Sequence, residues 1–492
     1  MRSLSSARRR AGVVIIMTAI MLTFLVPLVG LAIDAGLLYA IRARLQGAVD
    51  AAALAAARSL NLGQTLAEQT AVAEDRARRY FAANFPDGTF DTIRKDVRVE
   101  VRDAAWRREV EVTAEFEPPV YFMRYLSWGS AGKELLVRVA GTASRRDLNL
   151  MLVVDRSGSL ASAGACDDVA SSTRAFVDLF ANERDRIGLI TYGISYRVDY
   201  APSKYFKNAP TLDSILSQID PGGCNGGTGS AQGLWNAYQE LNNLNEPGAF
   251  NVIVFFTDGV PNAITADFPV KLQPTPEEPN TTRCFDWTRG LRQGEAGWDP
   301  SGQTYRGALF RSSGLHQFVA PVIPVAADPG AIEGPNGFSG SPPPAGDDCW
   351  FRSDMTLFAR DFPYLPDTDI YGNSIFGYKT VDVYGAGHPY AGKADITVAD
   401  NIERAAVNAL DNAAQRIRDR ALNPNLAVTV YVIGLGGAGE AEHELLRRIA
   451  NDPAAGNFDS TRPHGLYVYA ASPAQLQEAF AVVATEVLRF SK

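Results

Sequence analysis

Hydrophobic and polar positions follow three successive patterns in the first part of the chain. An uncharged, largely apolar run extends from Ala11 to Ile33 and is long enough to cross a lipid bilayer. The next stretch, Ala32–Leu60, is rich in Ala, Leu and Arg and lacks Pro, so we predict that one helix continues beyond the membrane. A second helix is predicted over 65–83. From Val97 onward, apolar residues alternate with charged ones, which predicts antiparallel strands.

The pattern changes again after residue 146. Near-continuous apolar runs now alternate with helical stretches; the clearest runs are LNLMLVVD, RIGLITYG, NVIVFFTDG and AVTVYVIGLG. Strands that are apolar throughout are buried on both faces, which is typical of a parallel sheet between two layers of helices. We therefore predict a doubly wound, mostly parallel α/β fold over 147–490. It is preceded by a lead and membrane anchor over 1–34 and a helical, α+β region over 35–146.

One segment of this domain, from about 260 to 395, has no regular period. Pro, Gly, Asp and aromatic residues dominate it. A stretch of this length inside a domain usually carries function or is disordered. We interpret it as a long, loop-rich insertion.

Charge and composition indicate an exported globular protein. Arg2, Arg8, Arg9 and Arg10 precede the apolar run and predict a cytoplasmic N-terminus, with the rest of the chain outside. A cleaved export signal would lead to the same compartment. The chain is 46% hydrophobic and 21% charged, and its net charge of −8 argues against a nucleic-acid binder.

The cysteine count agrees with export. An even number of cysteines in an exported protein suggests disulfides, and four allow three pairings: the residues are Cys166, Cys224, Cys284 and Cys349. None lies in a C-x-x-C motif, so neither zinc binding nor redox chemistry is favoured. We prefer Cys166–Cys224 and Cys284–Cys349, because each pair then falls within one structural region.

Acids and hydroxyls follow the predicted strands of the α/β domain. Asp155 ends the first strand and is followed by Ser157 and Ser159, Asp258 follows VIVFF, and Thr228 lies in the glycine-rich loop GGCNGGTGS. Ligands of such sheets bind at the carboxyl ends of the strands, so we expect these loops to meet. Two carboxylates and three hydroxyls, without nitrogen or sulfur, suit Mg²⁺, with Mn²⁺ or Ca²⁺ as alternatives. Neutral hydroxyls leave the ion positively charged, so it can recruit an Asp or Glu carboxylate from a protein partner.

Other motifs carry less weight. Gly434–Gly439 fits G-x-G-x-x-G but lies on a late strand, so no nucleotide is expected. Asp367, Asp369 and Asn373 only faintly suggest a calcium loop. No two histidines have metal-ligand spacing, and no G-x-S-x-G elbow is present. We therefore expect no enzymatic activity.

The N-terminal segment resembles the TadE/TadG-like (tight adherence) pilus-assembly family. The likeness lies in Arg8-Arg9-Arg10-Ala11-Gly12, the apolar run, and GLAIDAGLLYAIRARLQGAVDAAALAAAR. The resemblance implies a pilin-like, membrane-anchored protein of a bacterial envelope. Prepilins that are cut after a glycine typically carry Glu at the fifth following position, where this chain has Met17. Cleavage after Gly12 and entry into a fibre therefore stay open.

Residues 147–490 resemble a von Willebrand factor A domain. The D-x-S-x-S motif, the threonine and the T-D-G motif match that family's metal-ion-dependent adhesion site. The resemblance implies that Ser157 and Ser159 ligate Mg²⁺ directly and that Thr228 joins when a partner is engaged. It implies that Asp155 and Asp258 act mainly through water or hydrogen bonds. The insertion after T-D-G is long for the family.

Together these features predict a surface protein, anchored in the membrane or a pilus, whose A domain binds a protein partner through Mg²⁺. Adhesion, a pilus tip or a minor pilin are the roles that fit. One alternative is an envelope scaffold or assembly factor that binds a sister subunit. Another is an enzyme with an unrecognised site in the insertion.

Overall fold

The computed structural model describes residues 4–123, 135–209, 211–219, 224, 226–269, 298–299, 304–312, 315–319, 324–325, 328–332, 364–384, 391–396, 398–436 and 442–490. The chain divides into two compact units, Met1–Arg146 and Asp147–Ser491.

The first unit is built on one long helix. Helix α1 spans Leu4–Ser59, and α2 spans Leu66–Asn84. The Thr65 hydroxyl accepts a hydrogen bond from the Glu68 amide, and the Glu68 carboxylate accepts one from the Gln64 amide, which caps the start of α2. Within α1, the part from Ile16 contains an 18-residue window of mean hydropathy 2.4 that is only 6% buried. By length and composition, this helix can cross a membrane.

The C-terminal half of α1 packs on an antiparallel sheet. Strands β1 (Ile93–Ala104), β2 (Arg107–Glu117) and β3 (Val137–Arg146) pair in the order β1-β2-β3. On β2 the even-numbered positions from 110 to 116 are buried, and they join alanines and leucines of α1, Phe81 of α2 and Phe85 just after it in one core. The alternation predicted from the sequence therefore places the apolar face of the sheet against the helices.

Gly141 marks the closest approach of β3 to α1. A Cβ at this position would lie 2.6 Å from Asp50 Oδ1 and 3.1 Å from the Asp50 nitrogen. Beside it, Gln46 Nε2 donates to the Ala140 carbonyl at 2.9 Å. A side chain at residue 141 would therefore require the Asp50 side chain and the adjoining helix backbone to shift.

Gly141→Ala is expected to destabilise the first unit by about 1–3 kcal/mol, because the added methyl pushes β3 away from the helix backbone. Hydrogen–deuterium exchange of the β2 and β3 amides in the full chain measures the effect. The control is Gly47→Ala on the same helix, where nothing lies within 4 Å of a Cβ. This control should gain up to about 1 kcal/mol of helix stability. Equal changes in both variants would contradict the close packing at Gly141.

The second unit contains the predicted α/β sheet. Its main strands are β4 (Leu148–Asp155), β5 (Arg186–Tyr192), β6 (Tyr196–Ser203), β7 (Phe250–Thr257), β14 (Val428–Leu435) and β15 (Tyr467–Ala470). They pair in the order β15-β14-β7-β4-β5-β6. All neighbouring pairs are parallel except β5–β6. The doubly wound, mostly parallel fold predicted from the sequence is confirmed.

Helices cover both faces of this sheet. They are α3 (Gly158–Ser162), α4 (Cys166–Asp178), α5 (Leu212–Ile219), α6 (Ser230–Leu244), α7 (Ala399–Ile417), α8 (His443–Ala450) and α9 (Leu476–Phe490). Leu150 and Leu152 of β4 pack with α4, α5 and α9, whereas Met151 and Val153 pack with α6, α7 and α8. All eight residues of β4 are buried, which explains its continuous apolar run.

The described parts of the insertion are more regular than the sequence pattern indicated. They include β8 (Ala263–Pro269), β9 (Trp298–Asp299), β10 (Thr304–Ser312), β11 (Leu315–Val319), β12 (Pro324–Val325) and β13 (Asp328–Ile332). β10 pairs with β8, β9 and β11, and β12 pairs with β13, all antiparallel. The described residues of the predicted insertion therefore contain several short strands, and the loop-rich interpretation of the segment as a whole stays a prediction. Cys284 and Cys349 lie outside the described residues.

Candidate metal centre

Asp155 is the most heavily engaged acid at the carboxyl edge of the sheet. It ends β4, is fully buried, and its Oδ1 accepts a hydrogen bond from the Ser157 amide at 2.7 Å. Its Oδ2 accepts from Thr257 Oγ1 at 2.8 Å and from the Tyr192 hydroxyl at 3.3 Å. Burial raises the pKa of Asp155, and the hydrogen bonds from Ser157, Thr257 and Tyr192 partly oppose the rise. Asp155 thus links the carboxyl ends of β4, β5 and β7.

Three oxygens of the predicted set form a small triangle. Ser157 Oγ lies 2.8 Å from Ser159 Oγ. Asp258 Oδ1 lies 2.8 Å from Ser159 Oγ and 3.4 Å from Ser157 Oγ. Ser157 and Asp258 are buried, whereas Ser159 is only partly buried, so the triangle opens toward solvent on the Ser159 side. The loops after β4 and β7 therefore converge as the strand order predicts.

One carboxylate oxygen of Asp258 accepts no hydrogen bond from the other described residues of the site. Its Oδ2 is buried and has no hydrogen-bond partner among the described residues. Burial first, and then the charge of Asp155, raise the pKa of Asp258 to about 7. A buried carboxylate with one unpaired oxygen is costly unless a cation or a proton compensates its charge.

The glycine-rich loop joins the site through its backbone. The Gly158 amide donates to the Gly226 carbonyl at 3.1 Å. A disulfide links Cys166 to Cys224 with a Cα–Cα distance of 6.2 Å, and this is one of the two pairs predicted from the sequence. The loop that carries Thr228 is thus tied to the loop that carries the two serines by one covalent link and one hydrogen bond.

Thr228 itself is buried and positioned by Asn262. Its amide donates to Asn262 Oδ1 at 2.7 Å, and its carbonyl accepts from the Asn262 amide at 3.1 Å. In the part of the chain that is described, no hydrogen bond joins the Thr228 hydroxyl to Ser157, Ser159 or Asp258. The structure therefore brings together four of the five predicted site residues by direct hydrogen bonds, and the fifth only through its loop.

Sequence reasoning missed three residues that position the site: Tyr192, Thr257 and Asn262. Tyr192 pairs with Asp155 in the β4–β5 register. Its position at the end of an apolar strand could therefore have identified it as a neighbour of the site. Thr257 is the first residue of T-D-G and ends β7. Asn262 has no comparable signal, because its role depends on the fold of the loop that follows the motif.

The competing motifs have other partners in the structure. Asp369 accepts hydrogen bonds from the Tyr371 and Asn373 amides and from Asn373 Nδ2, so its oxygens close a turn. Asp367 pairs with Lys393. Beside Gly436, the Tyr469 hydroxyl fills the space where a Cβ would lie. Within the described residues, no cluster of three or more His, Cys, Asp or Glu side chains is placed to hold a metal.

Known families match both parts of the chain. Residues 150–260 match the family model of the von Willebrand factor type A domain. Residues 12–59 match the model described as putative Flp pilus-assembly TadE/G-like. Over these residues, both resemblances noted from the sequence are confirmed.

Solved structures with distant similarity include three pilus proteins. The PilB minor pilin from Streptococcus sanguinis is 14% identical over 81% of this chain and 79% of its own, with a TM-score of 0.35. The pilus adhesin SpaC from Lactobacillus rhamnosus GG is 13% identical over 80% of this chain and 34% of its own, with a TM-score of 0.35. The vWF domain of the type V pili tip protein Mfa5 from Porphyromonas gingivalis is 17% identical over 71% of this chain and 98% of its own, with a TM-score of 0.34. No curated protein matches the sequence.

The two family matches support a pilus-associated surface protein. They favour an adhesion or assembly role over catalysis. The apolar part of α1 supports association with a membrane.

Proposed function

We propose that the protein is anchored in the membrane by α1, with its N-terminus in the cytoplasm, and binds a protein partner through Mg²⁺ at the edge of the A-domain sheet. The observation that carries this proposal is the triangle of Ser157, Ser159 and Asp258 beside an unpaired, buried carboxylate oxygen.

The spacing of these oxygens fits Mg²⁺. Neighbouring ligands of an octahedral ion with bonds of about 2.1 Å lie about 3 Å apart. The three sides of the triangle measure 2.8, 2.8 and 3.4 Å. Asp258 supplies a negative charge whose second oxygen has no partner among the described residues. Hydroxyl and carboxylate oxygens are also the ligands that a hard cation prefers.

Each residue has a separate task in this proposal. Ser157 and Ser159 hold the ion through their hydroxyls, and Thr228 joins them when a partner is engaged. Asp258 balances part of the charge, and Asp155 fixes the Ser157 loop through the Ser157 amide. When bound, Mg²⁺ supplies a positive charge with an open coordination position. An Asp or Glu carboxylate of the partner protein can occupy this position on the exposed side of Ser159.

Replacing Ser157 and Ser159 by alanine together is expected to abolish Mg²⁺ binding at millimolar concentration, because two hydroxyl ligands disappear. Isothermal titration of the full chain with MgCl₂ measures this. The matched control is Ser162→Ala on α3, whose hydroxyl is exposed and bonds only to the Gly158 carbonyl among the described residues. This control should bind Mg²⁺ like the wild type. Unchanged binding in the double variant would refute the site.

The class of partner is a separate question that cell fractionation answers. We propose an adhesin or minor pilin, which shearing should release together with the surface fibres. Retention of the whole protein in the membrane after shearing would instead support the scaffold that binds a sister subunit. The Mg²⁺ titration is independent of this outcome.

A further inference from the structure

The carboxylate of Asp34, at the end of the apolar run, binds backbone amides of a segment far along the chain. Asp34 is fully buried, although it follows a run of exposed apolar residues on α1. Its Oδ1 accepts a hydrogen bond from the Tyr121 amide at 3.2 Å. Its Oδ2 accepts from the Phe122 amide at 2.9 Å and from the Met123 amide at 2.6 Å. One charged side chain thus satisfies three consecutive backbone donors.

The same segment also contacts α1 one turn closer to the N-terminus. At Gly30 a Cβ would lie 2.6 Å from Phe122 Cγ, so the aromatic ring lies directly on the helix backbone. Residues 121–123 are therefore fixed on α1 between Gly30 and Asp34. We call these three residues the aromatic clasp.

The apolar run places this clasp at the membrane boundary. From Ala11 to Ile33 the helix is roughly 35 Å long at about 1.5 Å per residue, slightly more than the roughly 30 Å of a hydrocarbon core. Asp34 therefore lies at the exported side of the bilayer, and Gly30 lies about 6 Å deeper. Because Phe122 packs on Gly30, it lies deeper in the bilayer than Asp34.

The exposure of the clasp suits this position. Tyr121 is 45% exposed and Phe122 is 38% exposed, so both residues stay partly accessible while their backbone amides are held by Asp34. Aromatic side chains concentrate at the membrane–water interface, where an apolar ring and a polar tip are both accommodated. Backbone amides at that depth need partners within the protein, and Asp34 supplies them.

We propose that the aromatic clasp is a second membrane contact, in which Tyr121 and Phe122 enter the boundary between phospholipid headgroups and acyl chains. This proposal rests on the membrane anchoring in the proposed function. It explains why an acid at the end of an apolar run is buried, and it couples the first unit to the membrane surface at two points of the chain.

Photo-crosslinking of the full chain in phosphatidylethanolamine–phosphatidylglycerol vesicles tests the proposal. With p-benzoylphenylalanine at position 122, we expect a phospholipid adduct. The positive control is the same substitution at Leu28, which is 68% exposed within the apolar run. The negative control is position 106, in the turn between β1 and β2. This turn lies at the end of β2 opposite Glu117, the end that leads to the clasp.

The outcomes separate the clasp from the anchor. An adduct at 28 but none at 122 would overturn the proposal and leave the membrane anchor intact. A crosslink from 122 to a second copy of the chain would show that a subunit, and not lipid, covers the clasp. No adduct at 28 would instead contradict the anchoring on which the proposal rests.

A second variant tests the role of Asp34. Combined with the photo-reactive residue at 122, Asp34→Ala should reduce the lipid adduct several-fold, because three backbone donors lose their acceptor and the segment leaves the helix. The adduct at position 28 should not change in the same variant. An undiminished adduct at 122 would show that Asp34 does not hold the clasp at the membrane.

Discussion

Asp258→Asn is expected to abolish Mg²⁺ binding and, in the same variant, to stabilise the metal-free protein at neutral pH. The substitution removes the negative charge from the triangle of Ser157, Ser159 and Asp258 while keeping the size of the side chain. Without a cation, the wild type buries a carboxylate whose Oδ2 has no partner among the described residues. Removing that charge should raise the free energy of unfolding by roughly 2 kcal/mol at pH 8. A residue with a purely structural role would not produce these opposite effects.

The pH dependence of the metal-free wild type follows from the same carboxyl. Burial and the Asp155 charge raise the pKa of Asp258 from 3.8 to about 7 in the folded state. Between these values the folded state binds more protons than the unfolded state, so stability falls as pH rises. The contribution of Asp258 is therefore complete below about pH 4 and lost as pH rises through about 7. Asp258→Asn should flatten this part of the stability curve.

Mg²⁺ should remove this fall in stability in the wild type, because Asp258 is deprotonated above about pH 4 both in the Mg²⁺-bound folded state and in the unfolded state. The ion competes with the proton on Asp258, so its affinity should fall roughly tenfold per pH unit below about 7. Thermal unfolding from pH 4 to pH 8, with EDTA or with Mg²⁺, measures both slopes. The variant should show the same melting temperature in the two solutions.

Asp369→Asn is the matched control for this experiment. Burial also raises the pKa of Asp369, to about 6, but its oxygens accept hydrogen bonds from the Tyr371 and Asn373 amides. Its replacement should weaken a turn without affecting the response to Mg²⁺. If Asp369→Asn removed the response, or if Asp258→Asn retained it, the assignment of the charge to the metal centre would be wrong.

The main sheet and its carboxyl edge were predictable because both depend on short segments. β4 and β7 are apolar throughout, which predicts strands buried on both faces, and each ends at an acid or next to one. Parallel strands align their carboxyl ends, so the convergence of Asp155 and Asp258 follows from strand order alone.

Contacts between segments far apart in the chain were not predictable in the same way. Tyr192 and Asp155 become partners only through the β4–β5 register, and Asn262 reaches Thr228 only after the chain turns back toward the glycine-rich loop. The strands of the insertion pair with one another, and their short mixed sequences have no period that reveals the pairing. Asp34 marked the end of the apolar run, but its partners lie 87 to 89 positions further along the chain.

Replacing Cys166 and Cys224 by alanine together is expected to destabilise the second unit by about 4 kcal/mol. The disulfide joins residues separated by 58 positions, and a loop of that length loses much of its entropy in the unfolded chain when it is closed. Denaturant unfolding of the full chain, with and without a reductant, measures the change. A reductant should lower the stability of the wild type toward that of the variant. In the variant the Cys166–Cys224 disulfide is absent, so a reductant cannot act through it.

The same variant should also weaken Mg²⁺ binding, for a different physical reason. The disulfide and the Gly158–Gly226 hydrogen bond join the serine loop to the loop that carries Thr228. Without the covalent link, binding must order the glycine-rich loop, which we expect to lower the Mg²⁺ affinity roughly threefold to tenfold, or about 1 kcal/mol. Titration well below the unfolding transition separates this local effect from the loss of global stability. If stability fell while the affinity stayed at the wild-type value, the disulfide would stabilise the fold without pre-ordering the metal loops.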